Sequence, residues 1–563
     1  MFGYTGKSIK ADLSSGKILI FDTPEQLCSD FIGGRGFGVK LISDRITMPY
    51  DSADMPLIFA TGPLVGTAAP TSGRMSVISR SPLTDTVFDC SVGGRFGTEL
   101  KRAGYDYIEI TGKSSGWVSL VINDTEISIE PSENLAGATT SEAAACFKGM
   151  SAAAIGPAGE NQVRFASIVF DKHYCAGRGG LGAVMGSKKL KAVAVKGKSS
   201  VTVSDATALN AAKKEIMRLL RASQAVFGEF GLSEFGTAAL VDLIHSRRME
   251  PTSNFRKTIF DNASSYSGYR MKEHYKTRKQ GCSGCPVLCK KIGSNGEVMP
   301  EFETVSHFGA LNNCSDLEAI VESNRICNEM GLDSITAAST IACYSEIENR
   351  NIAPAEMHRL LRQISLRSDN LGDSLAEGSY RYADSKGAPE KSMSVKKLEL
   401  PAYDPRGAYG MALAYATSNR GGCHLRAYPV SHEILRRPVA TDRFSFEGKA
   451  RIIKIAEDLN AVVDSLTACK FVFFGAGLEE FSRVFNAVTG SDHNAQSLLK
   501  AGERIWNLER KLNEMNGFTK SDDDLPERFF TEDGSSNEII RINALNRDKF
   551  LKARENYYRI RGW

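Results

Sequence analysis

From the first residues to about position 205, apolar positions come in short runs separated by clusters of glycine. Lys17-Ile18-Leu19-Ile20, Pro56-Leu57-Ile58-Phe59-Ala60, Met75-Ser76-Val77-Ile78, Tyr107-Ile108-Glu109-Ile110, Val118-Ser119-Leu120-Val121-Ile122 and Lys191-Ala192-Val193-Ala194-Val195 are the clearest of them. GGRGFG, GPLVG, SVGGRFG and GRGGLG punctuate the series. Runs this short, bounded by glycine, predict strands, and their spacing favours a β-sandwich or mixed sheet over repeated βαβ units. The stretch GKSSVTVSDAT, 197–207, predicts a linker.

After Ala208 the period changes. LNAAKKEIMRLLRAS, LEAIVESNRICNEM and DSITAASTIACYSEIENR carry apolar residues three and four apart, the helical signature. Asp333 and Ser334 are natural N-caps for the last of these. A second helical block, from about residue 396 to the end, includes KARIIKIAEDLNAVVDSL and NAQSLLKAGERIWNLERKLNEM. GAPEKSMSVKKLELPAYDPRG reads as the join between the two blocks, and SDDDLPERFF as polar loop. The fold class is therefore α+β: a β-sandwich-like domain over 1–205, then mainly helical domains over 206–395 and 396–563. No tandem repeat of solenoid period occurs.

Composition narrows the functional classes. The 563 residues bury a core large enough to fold without disulfides. With 42% hydrophobic and 24% charged residues, disordered, collagenous and coiled-coil chains are excluded. A net charge of +4 over this length is no footprint for nucleic acid. No window has the apolar length of a membrane span, and the opening MFGYTGKSIKADLSSGKI lacks the basic and apolar regions of a secretory signal, so a cytoplasmic protein is expected. The 12 cysteines are too sparse for a disulfide scaffold.

Three of those cysteines, Cys282, Cys285 and Cys289, form C-x2-C-x3-C in GCSGCPVLCKK. Thiolates so close ligate zinc, or hold three corners of an iron–sulfur cube that takes its fourth ligand from elsewhere. The next residues offer zinc only His307, which favours the cluster. Cys469, at the end of a helical pattern in VDSLTACKFVFFG, is the preferred fourth ligand; Cys314, Cys327, Cys343 and Cys423 are rivals, with Cys327 and Cys343 also reading as ordinary core cysteines. Two phrases, Asn328-Glu329-Met330-Gly331-Leu332-Asp333 and Asp464-Ser465-Leu466-Thr467-Ala468-Cys469, echo one another. Acids and amides so placed can grip an N–H-rich ring such as a pterin or purine, although Gly-Leu-Asp is also an everyday helix-capping phrase. Cys175-Ala176-Gly177-Arg178-Gly179-Gly180-Leu181-Gly182, Thr71-Ser72-Gly73-Arg74 and Ser91-Val92-Gly93-Gly94-Arg95 are glycine–arginine loops suited to a large anionic cofactor, and equally to plain turns with surface arginines.

In order along the chain, IGGRGFG, TGPLVGT, PTSGRMSVISRSPLT, GGRFGTELKRAGYD, AGRGGLGAVMGSKKLKAVAV, CSGCPVLC, PEFET, NEMGLD, PAYDPRG, Cys423-His424-Leu425 and DSLTACKF resemble the aldehyde:ferredoxin oxidoreductase family of tungsten-pterin enzymes. The resemblance implies an N-terminal β domain covering a bis-pterin that holds tungsten or molybdenum. It also implies a 4Fe–4S cluster on Cys282, Cys285, Cys289 and Cys469, and Mg2+ bridging the pterin phosphates. Arg74 then stands between pterin and cluster. Ser91, Gly93, Arg178, Gly179 and Gly180 belong to the phosphate loops, and Asn328, Asp333 and Asp464 to the pterin-gripping phrases. Glu303 in PEFET, His424 and Tyr403 become the groups at the reacting centre, with Glu301 as the competitor of Glu303.

The implied reaction oxidises an aldehyde to its acid, with Glu303 as general base and His424 donating to the aldehyde oxygen. Electrons leave for ferredoxin or an iron–sulfur partner subunit, in a homodimer or hetero-oligomer. Asn328 stands where the family has an acid, Thr467-Ala468 where it has Gly-Leu, and Ser91 where it has Asn. Glu322-Ser323-Asn324-Arg325 replaces the E-x-x-H of an interface iron, and the chain is compact for the family. Two other readings remain: a class II benzoyl-CoA reductase-type tungsten subunit with His307 as proton donor, and a non-catalytic binding protein stabilised by zinc or a cluster.

Overall fold

The computed structural model of the chain describes residues 1–563. Twelve strands form two six-stranded mixed sheets. The first is ordered β2 (Lys17–Asp22), β1 (Lys7–Asp12), β6 (Tyr107–Thr111), β3 (Leu57–Ala60), β4 (Met75–Arg80), β5 (Val87–Val92). The second is ordered β11 (Tyr174–Ala176), β10 (Ile168–Phe170), β9 (Ser151–Ala154), β12 (Leu190–Lys196), β7 (Val118–Asn123), β8 (Glu126–Pro131). Only β1/β6 and β7/β12 pair in parallel. The strands β3, β4, β6 and β12 are buried along nearly their whole length, which is why they read as continuous apolar runs rather than alternating ones. Phe59 on β3, Phe96 and Phe170 on β10 meet between the sheets, with Phe96 edge-on to Phe170 at 5.3 Å.

The helices follow the sequence pattern closely. The helices that matter for the site are α1 (Gly34–Ile42), α2 (Phe302–Phe308), α3 (Leu317–Met330), α4 (Ser334–Ile347), α5 (Lys449–Leu466) and α6 (Ala495–Met515). Gly331 closes α3 in the left-handed conformation, and Asp333 caps α4 by accepting from the amides of Ile335 and Thr336. The capping reading of Gly-Leu-Asp therefore holds, and the turn sets Asp333 beside the β domain. At the end of α5 the same left-handed position is taken by Thr467 (φ 57°), where glycine would be unstrained.

Two stretches read as connectors are core. The hairpin Ser394–Val395/Leu398–Glu399 lies inside the presumed join, and Glu399 is fully buried, accepting from Thr336 and Ser379. The division expected near residue 395 thus runs through this hairpin. In SDDDLPERFF, Asp523 is buried against Lys396, Arg510 and Tyr558, and Phe529 packs on Phe255 at 5.7 Å. Polarity of the segment concealed it, because each buried charge is paired. No helix is long and apolar enough to cross a membrane.

Candidate active site

Where the sheets meet the helices, a cavity of about 1280 Å³ runs from Arg74, Gly93 and Cys282 past Asn328 and Asp333 to Glu303, Tyr403 and His424. Its outer wall is apolar, through Leu435, Ile455, Leu459 and Phe474. Backbone packing builds it. A Cβ at Gly62 would strike Leu466, and one at Gly34 would strike the Asp464 carbonyl, so the first turn of α1 and the TGPLVG loop seat directly on the end of α5. That contact fixes Asp464 and, one turn on, Cys469, whose amide donates to the Thr71 carbonyl at 3.0 Å.

The cysteine motif is the loop of a hairpin formed by Arg278–Gln280 and Lys290–Ile292. The Ser283 amide donates to the Gly94 carbonyl at 3.0 Å, and a Cβ on Gly73 would meet the Ser283 backbone. Two loops of the β domain thus press on the cysteines. Burial raises the Cys285 thiol to about 12, and Cys469 pushes it the same way; Cys282 and Cys289 are also raised by burial and by Cys469. Cys469 therefore lies among the three motif thiols. Its rivals do not: Cys314, Cys327 and Cys343 are buried in the helical part, and Cys423 accepts from the Arg420 guanidinium at 2.9 and 3.2 Å. Burial disfavours charge on Arg74, yet Cys469, Cys282 and Asp464 leave its guanidinium above its ordinary value.

Glu303 sits in the first turn of α2. One carboxyl oxygen accepts from the Ala402 amide at 2.8 Å; the other is buried, has no hydrogen-bond partner and lies 3.5 Å from His424 Nε2. Burial raises the Glu303 carboxyl to about 8 and pushes His424 well below the usual imidazole range. His424 Nδ1 is likewise buried without a partner. Tyr403 stacks at a tilt 5.7 Å from the His424 ring, and its hydroxyl meets that of Tyr428 at 3.1 Å. Its loop is bolted down by Arg406, which forks onto Asp404 and donates to the Phe255 carbonyl. Glu301, the competitor, also lines the cavity, but it pairs with Lys290 at 2.8 Å beside the cysteine loop rather than with His424.

The loop residues are engaged more by protein than the glycine–arginine reading anticipated. Arg74 donates to the Ser91 hydroxyl and carbonyl, at 2.9 and 2.7 Å. Arg178 directs its terminal nitrogens to the carbonyls of Gly422 and Glu399, leaving only Nε, 3.5 Å from Asp333, without a hydrogen bond. Gly179 and Gly180 take positive φ, and a Cβ on either would collide with Phe88 or the Arg164 carbonyl. Asn328 accepts from the Cys175 thiol at 3.4 Å. Asp464 is gripped by Arg35, Arg426 and Lys470. Glu322 and Arg325 pair bidentately with each other on the surface.

That grip belongs to a buried network which sequence reasoning missed. Arg35 forks onto Glu509 at 2.6 and 2.7 Å, and Arg426 pairs with Asp89. Although burial opposes its ionisation, Arg426 and Arg35 hold the Asp89 carboxyl well below the usual carboxylate range. The available signal was an aspartate inside the apolar run of β5.

These groups suit the cofactors implied by the sequence. Cys282 and Cys289 line the cavity, and Cys469 stands close enough to raise the thiols of Cys282, Cys285 and Cys289, a set of four sulfurs that suits a cluster. Glycine at 93 is what leaves room beside Cys282 Sγ, and buried polar atoms of Glu303, His424 and Arg178 stand without partners around the cavity.

Residues 8–197 match the family model described as aldehyde ferredoxin oxidoreductase, N-terminal domain, and residues 211–563 match that for domains 2 and 3. The chain is 39% identical over 595 residues to the tungsten-containing aldehyde ferredoxin oxidoreductase of Pyrococcus furiosus, covering 100% of this chain and 97% of that protein. A protein of the same description from Thermococcus kodakarensis is 38% identical over 596 residues, with the same coverage. An aliphatic sulfonate oxidoreductase WOR-like subunit of Pyrococcus furiosus is 28% identical over 624 residues, covering 100% of this chain and 95% of that one. In fold, the chain matches the active site complex BamBC of benzoyl coenzyme A reductase with a TM-score of 0.84 at 23% identity, covering 100% of this chain and 95% of that one. The chain belongs to the aldehyde ferredoxin oxidoreductase family and is an oxidoreductase of that family.

Proposed function

We propose that this protein oxidises aldehydes to carboxylic acids and delivers the two electrons to ferredoxin or an iron–sulfur partner. The observation that carries the reading is the Glu303–His424 pair, buried and 3.5 Å apart on a cavity that also reaches the cysteine loop. A tungsten bis-pterin in the cavity would supply a Lewis acid and two-electron acceptor, and a 4Fe–4S cluster on Cys282, Cys285, Cys289 and Cys469 would pass the electrons on singly. Asn328, Asp333 and Asp464 would face the pterins, and the backbone of the Ser91–Gly93 and Arg178–Gly180 loops would face their phosphates and magnesium, amides toward phosphate and carbonyl oxygens toward the cation.

The residues divide the proton work. Hydration of the aldehyde and loss of two electrons and two protons gives the acid. Glu303, held at about 8 by burial, accepts a proton from water or the hydrate in its ionised form, whose share grows as pH rises through 8. His424 is uncharged in its site, with Nε2 3.5 Å from Glu303 Oε1. That leaves a neutral imidazole to donate to the carbonyl oxygen as negative charge builds there. Tyr403 and Tyr428 fix the ring and exclude water from its side. His307 fits the proton-donor role of a ring-reducing subunit poorly. Its two nitrogens face the carbonyls of Glu303 and Leu400, at 2.7 and 3.1 Å, and burial lowers it to about 4.

The test is anaerobic purification followed by metal analysis and a viologen-linked assay with a panel of aldehydes. One tungsten or molybdenum and four iron per chain, with aldehyde-dependent dye reduction, are expected. A metal-loaded protein inert to every aldehyde but active on an aryl thioester would replace this reading with ring reduction.

A further inference from the structure

We infer that a chain of buried side-chain oxygens through Glu399 relays protons from the cavity to the surface. The inference rests on the proposed aldehyde oxidation, which frees two protons in the cavity at each turnover. Asp333, which lines the cavity together with Glu303, Thr304 and Ser334, is the inner end of the chain. Its carboxyl accepts from Thr336 Oγ1 at 2.7 Å, and the same hydroxyl stands 2.8 Å from Glu399 Oε2. Glu399 Oε1 is 2.9 Å from Ser379 Oγ, which lies 2.8 Å from Ser392 Oγ, itself 2.9 Å from Ser394 Oγ. Thr336, Glu399, Ser379 and Ser392 are buried, while Ser394, on the first strand of the hairpin, is partly exposed. Hydrogen-bonded oxygens thus run unbroken from the cavity to the surface, on the side away from its apolar outer wall.

The proton count gives the chain its function. A hydroxyl has one proton to donate, yet Thr336 stands at hydrogen-bond distance from two carboxyls, so the trio holds one proton more than the hydroxyl brings. Asp333 also accepts from the amides of Ile335 and Thr336 and faces Arg178 Nε at 3.5 Å. No cation touches the Glu399 carboxyl. Arg178 turns its terminal nitrogens to the carbonyls of Gly422 and Glu399, and Arg381 to the Leu83 carbonyl and Asp85. Burial raises the Glu399 carboxyl, so the extra proton rests there. A site that needed only an acceptor would be served by glutamine; an acid adds a proton that can move. Each transfer breaks one O–H bond and forms the next, so a proton taken up at Asp333 is matched by one released at Ser394. Every group then ends in the charge state in which it began.

The test compares the metal-loaded enzyme with Thr336→Val, Thr336→Ser, Ser379→Ala and Glu399→Gln. Thr336→Val is isosteric and, like Ser379→Ala, removes one hydroxyl of the chain. Each should lower kcat with viologen by roughly tenfold while metal content and the aldehyde KM stay in place. The solvent deuterium effect on kcat should grow in both, because proton exit becomes limiting, a change that a merely structural role would not produce. Thr336→Ser keeps the hydroxyl and should restore the parental values. Parental kcat and isotope effect in Ser379→Ala, which lies off the cavity lining, would overturn the relay whether or not Thr336→Val holds its metals. Infrared difference spectra of parent against Glu399→Gln at neutral pH read the resting proton without any turnover. A protonated-carboxyl band is expected in the parent, and its absence would overturn the relay even in a protein inert to aldehydes. A parent that shows the band but oxidises no aldehyde would keep the resting proton and strike the aldehyde reading alone.

Discussion

Glu303 Oε1 and His424 Nε2 stand 3.5 Å apart on largely buried side chains, and neither Oε1 nor His424 Nδ1 has a hydrogen-bond partner, while the other carboxyl oxygen accepts from the Ala402 amide. Burial moves the two groups in opposite directions, the carboxyl up to about 8 and the imidazole down, so the uncharged pair dominates at neutral pH. A pair of titratable groups driven apart in this way is the arrangement acid–base chemistry needs.

The activity of Glu303 should follow its ionisation. With viologen as acceptor, kcat/KM should climb with pH and level off above about 8. Glu303→Gln should keep its metals and lose roughly 100-fold or more of turnover. The stability of the cofactor-free chain should change in the opposite sense. A carboxyl raised in the folded state binds a proton that the unfolded chain has released, so its contribution is full below its unfolded value. It is lost as pH rises through the folded value near 8. Melting temperatures between pH 5 and 9 should therefore fall more steeply for the parent than for Glu303→Gln; parallel curves would place the titrating group elsewhere.

Cys469 and Cys327 separate ligand from core. Cys469→Ala should lower iron and labile sulfide far below four per chain. Cys327→Ala should leave both unchanged, at a cost of about 1 kcal/mol in stability from the small cavity it leaves in the helical core. Iron retained in full by Cys469→Ala would shift the fourth ligand to another residue.

The chain announces its fold through period. The apolar run before Asp333, the cap itself and the run after it predict α3, the turn and α4, and all three are present. The cysteine motif stood out because C-x2-C-x3-C has few uses, and Cys469, a candidate because it follows a helix end, is folded close to it. Arg35, Asp89, Arg426 and Glu509 were not legible, since their partners lie hundreds of positions away, and a charged residue reads as solvent-facing until its counter-ion is known. The same blindness hid Asp523 and Glu399. Arg178 looked free for a phosphate because sequence cannot show the carbonyls of Gly422 and Glu399 converging on it.

Arg35 should therefore matter to stability more than any loop arginine. It is fully buried and faces Glu509, Asp464 and Asp89. Replacing it by Met keeps volume but strands Glu509 without its fork. Breaking a buried pair from one side costs about 3–5 kcal/mol. Denaturant unfolding of Arg35→Met should show a loss in that range, and the double variant R35M/E509M should recover part of it. A change below about 1 kcal/mol in the single variant would mean that Arg426 takes over the carboxylates.

Gly93 offers the sharpest test of the cluster pocket, because its requirement is spatial rather than conformational. Its backbone lies outside the left-handed region, so alanine can adopt it without strain. The added Cβ would nonetheless overlap Cys282 Sγ, with Tyr174 closing the other side at 3.2 Å. Something must move. The β-domain turn is held in its own domain by the Arg95 amide on Asp171 and tied to the cysteine loop by the Ser283 amide on the Gly94 carbonyl, so the thiol is the group that yields. Gly93→Ala should then fold with near-parental melting as the cofactor-free chain while binding less iron on reconstitution. Gly284→Ala, with open space around it and φ +64°, should show the reverse: full iron and a stability loss of about 1 kcal/mol. If Gly93→Ala reconstituted to four iron, Cys282 would have room that this packing denies it.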